Sequence, residues 1–123
     1  MDKVIPKKIF FDIDGVICET TVRDYPTSVP NYELINLINE LYDQGHIITL
    51  YTARFMGRSN GNEVMAKELG YQFTLDQMRS WKVKFHHLIL GKPVYDIFVD
   101  DRAIGFQGDI IKLQKELNDR LVT

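Results

Sequence analysis

The sequence predicts an α/β protein: a doubly wound, Rossmann-like parallel sheet with helices on both faces. Short apolar runs alternate with longer helical patterns, and several of these runs end in a charged or hydroxyl-bearing residue. No internal repeat, low-complexity tract or Ser/Gly linker interrupts the alternation. The chain has 123 residues, of which 45% are hydrophobic and 26% charged, which fits a single domain over residues 1–123.

The first half of the chain predicts two strands and one helix. Residues 9–13 form a β-branched and aromatic run that stops at a turn signal. Apolar residues at three- and four-residue steps predict a helix over 30–43, with Asn31 as its N-cap and Gly45 as its stop. The almost continuous apolar run 47–52 is typical of a buried parallel strand.

The second half begins with a helical region. Residues 62–69 predict a short helix closed by Gly70. The pattern of residues 74–77 resembles a capping box, so a separate helix is expected to start there.

Two further strands and a terminal helix complete the expected fold. The strands are predicted at 88–90 and 95–99, and Asp109 is expected to cap the last helix. One face of that helix carries an apolar row at Ile110, Leu113, Leu117 and Leu121. The row is expected to pack on the sheet, and we also predict that it contributes to a homo-oligomer, most simply a dimer.

Composition and charge exclude several classes of protein. The formal net charge is -2, so no nucleic-acid partner is expected. No apolar run is long enough to span a bilayer, and the charged N-terminal residues 1–8 do not resemble a signal peptide. The single cysteine, Cys18, is compatible with a reducing compartment, and a cytoplasmic location is expected.

Pairs of acidic residues follow two of the predicted strands. Asp12 and Asp14 alternate on the chain, so they share a face while the strand remains extended. Two neighbouring carboxylates repel one another and are costly to bury unpaired, so a divalent cation is the simplest compensation. Asp100 and Asp101 bring further carboxylates to the same sheet edge, and oxygen ligands of this kind suit Mg²⁺.

A hydroxyl and an ammonium group follow two other strands. Thr52 and Lys92 lie between the acidic pairs in sequence and are expected to hold the non-bridging oxygens of a phosphoryl group. Arg54 lies two residues beyond Thr52. Its guanidinium fits a second anionic group on a substrate, and it fits equally an ion pair with a neighbouring acid.

These motifs resemble those of the haloacid dehalogenase (HAD) superfamily of phosphohydrolases, and within it the capsule-biosynthesis phosphatase branch. Four motifs occur in the superfamily's order and bracket most of the chain. They are Phe11-Asp12-Ile13-Asp14-Gly15-Val16-Ile17, Tyr51-Thr52-Ala53-Arg54, Gly91-Lys92-Pro93 and Phe98-Val99-Asp100-Asp101-Arg102.

The resemblance implies roles for these residues. Asp12 would attack phosphorus and form an aspartyl-phosphate, and Asp14 would act as general acid and then as general base. Thr52 and Lys92 would bind the phosphoryl group.

The same resemblance implies a metal site and an open architecture. The Asp12 side chain, the Asp14 main-chain carbonyl and Asp101 would ligate Mg²⁺, with Asp100 beside them or as the alternative ligand. Residues 17–30 have room only for a flap, so a member without a cap domain is expected. The implied substrate is a small sugar or polyol phosphate in capsule polysaccharide biosynthesis.

Two other functions fit parts of the pattern. A polynucleotide 3'-phosphatase shares the motif set, but the acidic balance disfavours it. A two-component receiver domain, a signalling module rather than an enzyme, also combines paired acids with Thr and Lys at strand ends. The order of the residues disfavours the receiver, whose lysine lies nearer the C-terminal end.

Overall fold

The structure, a computed structural model, describes residues 5–122 and contains two sheets. The main sheet has three parallel strands, and a small antiparallel pair lies within the flap. The strands are β1 (Lys8–Phe11), β2 (Cys18–Glu19), β3 (Val29–Pro30), β4 (Ile47–Thr52) and β5 (His87–Leu90).

Three α-helices accompany these strands: α1 (Tyr32–Asp43), α2 (Glu63–Ser80) and α3 (Ile110–Leu121). Helix α1 packs on β4, α2 packs on β5, and α3 packs on α1. Within residues 5–122, no helix has the length and apolar character to cross a bilayer. The charged N-terminal segment, which was predicted not to be a signal peptide, covers residues 1–8, of which 1–4 lie outside the described residues.

The main sheet runs in the order β1, β4, β5, so β4 is its central strand. Phe11 of β1 pairs with Leu50, and Thr52 at the end of β4 pairs with Leu90. Because all three strands are parallel, the residues that follow them meet at one edge, which we call the carboxyl edge. The predictions of strands at 9–13, 47–52 and 88–90 are confirmed, with the first strand ending at Phe11.

The two faces of the main sheet differ in burial. Phe11, Leu50 and Leu88 share one face and are all buried. Phe10 contacts Tyr51 on the opposite face but remains 55% exposed. This alternation differs from the two-sided burial that a doubly wound sheet predicts. No helix forms between β5 and α3 in the described chain, so no helix from this connection covers the face that carries Phe10 and Tyr51.

Helix α1 forms as its pattern predicted. The Asn31 side chain accepts a hydrogen bond from the Leu34 amide at 3.2 Å and so caps the first turn. Gly45 follows the helix with a φ of +100°, a conformation that glycine adopts without steric cost. Leu34, Ile38 and others on the same face are buried in the core.

The prediction of two helices between 62 and 80 is wrong, because α2 is continuous. Gly70 lies inside the helix, where an added Cβ would collide with the Phe55 ring, so this glycine allows close packing rather than ending the helix. Thr74 is a buried helical residue, and its hydroxyl has no hydrogen-bond partner among the described residues. It therefore does not act as an N-cap.

The predicted strand over 95–99 does not form. Gly91 has a φ of +104° and turns the chain as β5 ends, and the stretch 93–108 then continues without helix or strand. Ile97 and Val99 are 83% and 93% exposed. The apolar pattern predicted burial, but without hydrogen-bonded contact with an edge of the sheet these side chains remain in solvent. We call residues 93–108 the C-terminal stretch.

Helix α3 begins where predicted. The Asp109 side chain accepts a hydrogen bond from the Lys112 amide at 3.0 Å. Leu113 and Leu117 are buried, and the helix packs on α1, whereas packing on the sheet was predicted. The apolar row thus packs within its own chain, and its part in a homo-oligomer stays a prediction.

Candidate functional site

The carboxyl edge brings together side chains that are far apart in sequence. The Lys92 ammonium donates to the Asp12 carboxylate, with Nζ and Oδ2 3.1 Å apart across 80 positions of chain. The Lys92 amide donates to the Thr52 carbonyl at 3.1 Å, which fixes the loop after β5 beside the end of β4. The structure therefore places Asp12, Thr52 and Lys92 at one site, as their positions after parallel strands predicted.

Lys92 is held in its charged form. Burial alone would lower the pKa of Lys92, but the hydrogen bond and negative charge of Asp12, with a contribution from Tyr95, outweigh it and raise this pKa above its usual value. The ammonium also lies 5.3 Å from the centre of the Tyr95 ring. A fixed cation beside the Asp12 carboxylate suits the binding of a phosphoryl group.

Asp14 forms an ion pair with Arg54, whose side chain is buried while that of Asp14 is partly exposed. The guanidinium donates through Nε to Oδ2 and through Nη2 to Oδ1, both at 2.9 Å. Its remaining nitrogen, Nη1, donates to the Gln77 Oε1 at 2.6 Å, and its carbon lies 4.7 Å from the centre of the Tyr25 ring. Arg54 is only 1% exposed, so the structure favours the ion pair over the predicted contact with substrate.

The flap holds the second side of Asp14. Thr20 donates to Asp14 Oδ1 at 2.5 Å, and the Thr20 and Ser28 hydroxyls lie 2.7 Å apart across the β2–β3 hairpin. Cys18 is buried beside this pair, and burial raises the pKa of its thiol. Sequence reasoning missed Thr20. Its position in the predicted flap, six residues after Asp14, was the one available signal.

Gln77 was also missed, and no sequence signal identified it. It connects α2 to the site, because its amide nitrogen donates to the Tyr25 carbonyl at 2.7 Å while its oxygen accepts from Arg54. Tyr25 lies in a short 3₁₀ helix of the flap, Tyr25–Thr27. The flap, α2 and Arg54 therefore form one connected network behind Asp14.

Thr52 occupies the end of the central strand. It is buried, and its hydroxyl oxygen accepts a hydrogen bond from the Arg54 amide at 3.1 Å. The hydroxyl proton remains available to donate to a bound anion.

Asp100 and Asp101 are placed differently from the prediction. Both are exposed in the C-terminal stretch, and Asp100 accepts a hydrogen bond from the Arg102 amide at 2.6 Å. Among residues 5–122, no group of three or more His, Cys, Asp or Glu side chains is arranged to hold a metal ion. The predicted cluster of four acids is therefore not assembled, because the strand that would have carried two of them to the edge does not form.

Cations of the protein compensate the remaining acids. Lys92 pairs with Asp12, and Arg54 pairs with Asp14. From the sequence, a metal ion was the expected compensation for the adjacent carboxylates, and an ion pair with a neighbouring acid was one of two alternatives for Arg54. The ion pair between Lys92 and Asp12 was not predicted as such, although both residues were expected at this edge. The Asp12 and Asp14 side chains remain 36% and 29% exposed, so both carboxylates are still partly open to solvent.

Comparison with known proteins supports the fold alone. No protein-family model matches the chain, and no curated protein matches it significantly. The chain is similar to the crystal structure of a structural-genomics target from Vibrio cholerae, with a TM-score of 0.74 and 23% identity. The match covers 91% of this chain and 98% of that one. This similarity supports a small α/β fold with a parallel sheet and helices.

Proposed function

We propose that this protein is a magnesium-dependent phosphomonoester hydrolase that acts through an aspartyl-phosphate on Asp12. The observation that carries the proposal is the meeting of Asp12 and Lys92, 3.1 Å apart at the carboxyl edge with Thr52 on the adjoining strand. A carboxylate nucleophile, a fixed ammonium and a hydroxyl donor are the groups that phosphoryl transfer needs for attack and for charge neutralisation.

The first chemical step uses Asp12. One carboxylate oxygen attacks phosphorus, an oxygen–phosphorus bond forms, and the bond between phosphorus and the leaving oxygen breaks. Lys92 and Thr52 bind the non-bridging oxygens and hold the phosphoryl group in line. Water then attacks the phosphorus of the aspartyl-phosphate, which releases inorganic phosphate and restores the Asp12 carboxylate.

The proposed acid and base is Asp14. In its protonated form it gives its proton to the leaving oxygen, and as the carboxylate it then accepts a proton from the attacking water. Arg54 and Thr20 hold Asp14 through hydrogen bonds, and we assign this arrangement to the protein without substrate. Asp14 must turn from this arrangement to reach a leaving oxygen, so Arg54 acts as a positioning residue.

A magnesium ion fits the chemistry of the exposed Asp12 carboxylate, since Mg²⁺ usually binds one or two carboxylates together with substrate phosphate and waters. The proposed ligands are Asp12, the main-chain carbonyl of Asp14 and Asp101, with Asp100 beside them. Asp101 would have to move to the edge with the C-terminal stretch. When bound, the ion would neutralise charge that develops on the phosphoryl oxygens.

The finer description of the fold belongs to the same proposal. We propose a HAD-like domain with no cap domain, in which the flap at 17–30 is, among residues 5–122, the only cover over the site. Such an open site gains shielding from water if a second subunit covers it, which favours a homo-oligomer. A small sugar or polyol phosphate of polysaccharide biosynthesis is the proposed substrate, and a cytoplasmic location is part of the proposal.

A phosphatase assay tests the function directly. With p-nitrophenyl phosphate and Mg²⁺, the protein should turn over many equivalents, and EDTA should abolish the activity. A receiver domain would not turn over. Asp12→Asn should lower turnover by about a thousandfold or more, because an amide is not a nucleophile for this step. Circular dichroism would show that the variant remains folded, and wild-type turnover by this variant would refute the mechanism.

A further inference from the structure

A cavity that the proposed mechanism does not use lies beside the candidate phosphoryl site. It has a volume of about 790 Å³ and is formed by the flap, the loop after β4, the start of α2 and the loop after β5. Its wall includes Gly91 and Pro93, the residues on either side of Lys92. A phosphoryl group held by Lys92 would therefore have this cavity next to it.

The flap presents Arg23 to this cavity through an unfavourable backbone. Val22 and Arg23 have φ values of +40° and +61°, in the left-handed region that a β-branched residue such as valine rarely adopts. Val22 is exposed, so burial of its side chain does not compensate for the strain. Strain of this kind concentrates at ligand-binding segments, and here it places the Arg23 side chain against the cavity.

The Arg23 guanidinium lies close to the backbone of Gly57. A β-carbon at position 57 would lie 2.7 Å from its central carbon, so glycine leaves room for the group. Within residues 5–122 this guanidinium forms no ion pair, whereas that of Arg54 is occupied by Asp14 and Gln77. Arg23 is thus free to bind an anion in the way that the sequence analysis considered for Arg54.

Polar groups that suit hydroxyls line the same cavity as Arg23. The Glu63 carboxylate reaches toward Gly91, with Oε2 3.2 Å from where a β-carbon on that glycine would lie. It forms no ion pair in the described chain, and a free carboxylate accepts hydrogen bonds from hydroxyl groups. Asn60, which also lines the cavity, offers an amide donor and acceptor.

We propose that this cavity binds the alcohol part of the phosphomonoester and that Arg23 selects substrates with a second anionic group. Glu63 and Asn60 bind hydroxyls between that anion and the phosphate. The substrate class is a hydroxylated phosphomonoester that carries a carboxylate or a second phosphate at its far end. The inference rests on the proposed function for the position of the phosphoryl group at Lys92.

Binding to the Asp12→Asn chain tests this without hydrolysis. Isothermal titration calorimetry would compare 3-phosphoglycerate with glycerol 3-phosphate, which differ by a carboxylate in place of a hydroxymethyl group. A second pair, glucose 1,6-bisphosphate and glucose 6-phosphate, tests a second phosphate. At least one of the two probes that carry a second anionic group, 3-phosphoglycerate or glucose 1,6-bisphosphate, should bind about ten- to a hundredfold more tightly than its partner. The pair that shows the preference identifies the anion.

Two variants assign the preference to Arg23. Added to the Asp12→Asn chain, Arg23→Gln should abolish the preference. Arg79→Gln is the control and should retain the preference, because Arg79 lies in the last turn of α2 and does not line the cavity. Gly57→Ala should weaken the preference by displacing the guanidinium, and Gly105→Ala, where a β-carbon meets nothing within 4 Å, is its control.

The outcomes separate the two proposals. Equal affinity within both pairs, no binding of any probe, or a preference that survives Arg23→Gln would overturn the inference. Absence of p-nitrophenyl phosphate turnover by the wild-type chain would instead overturn the proposed function, and the binding comparison would still be readable.

Discussion

The carboxyl edge of the sheet and the C-terminal stretch hold their charged groups in different ways. At the edge, Asp12 and Asp14 each pair with a cation from another segment, 80 and 40 positions away in sequence. In the C-terminal stretch, Asp100 accepts a hydrogen bond from an amide two residues away, and the preceding Ile97 is exposed. Both regions consist of an apolar run followed by two acids, yet only the first is held in a strand.

The difference shows that an apolar run becomes a buried strand only where a neighbouring strand pairs with it. Residues of β1 have β4 as a partner, and the turn at Asp12 is fixed by the side-chain bond from the Ile13 amide at 2.8 Å. Residues 95–99 follow the turn at Gly91 and pair with no strand in the described chain. The local pattern was similar, and the tertiary partner decided the outcome.

Core substitutions should show the largest difference between the two regions. Leu50→Ala removes a fully buried side chain from the central strand and should lower the free energy of unfolding by about 3 to 5 kcal/mol. Ile97→Ala should change it by less than about 0.5 kcal/mol, because that side chain is exposed. Urea denaturation measures both. A large loss in Ile97→Ala would mean that the C-terminal stretch is packed in solution.

Much of the fold and part of the site could be predicted from the sequence. Three strands, two helix caps and the meeting of Asp12 with Lys92 follow from local patterns and from the geometry of parallel strands. The continuity of α2 could not be predicted, because Gly70 is explained by the Phe55 ring that packs on it. The partner of Arg54 depended on the packing of flap and helix, which no local pattern encodes.

Two ion pairs that differ in burial, Arg54–Asp14 at the carboxyl edge and Lys84–Asp43 on the surface, allow a second comparison of stability. Arg54→Met should lower the free energy of unfolding by about 2 to 3 kcal/mol, less than for a fully buried pair because the Asp14 side chain is partly exposed. Lys84→Met breaks the exposed Lys84–Asp43 pair, 2.8 Å long, and should cost less than about 1 kcal/mol. The double variant Arg54→Met/Asp14→Leu should recover part of the first loss. Equal costs for the two single variants would show that the Arg54 pair is not desolvated.

A metal titration tests whether the C-terminal stretch reaches the site during turnover. If Asp101 becomes a ligand, Asp101→Asn should raise the Mg²⁺ concentration for half-maximal turnover by about tenfold or more. Asp100→Asn should raise it less, because its carboxylate is proposed to lie beside the ligands. Unchanged metal dependence in both variants would show that the C-terminal stretch does not contribute to the metal site, in agreement with its exposed position in the structure.

The smallest expected effect concerns the opposite end of the central strand. His46 is buried and its Nδ1 accepts the Lys7 amide hydrogen bond at 3.1 Å. Burial, assisted by the charge of Lys7, lowers the pKa of His46 below its usual value of 6.5. The unfolded chain therefore binds the proton more readily, so this contribution to stability is present above pH 6.5 and is lost as the pH falls below it.

Between pH 7.5 and pH 5.5, the free energy of unfolding should therefore fall less in His46→Gln than in wild type. The difference should be at most about 1.4 kcal/mol per unit of difference between the folded and unfolded pKa values of His46. The exposed His87 provides the control, and His87→Gln should retain the wild-type pH dependence. If His46→Gln and wild type lose the same stability between these pH values, His46 accepts a proton in the folded chain as easily as in the unfolded one.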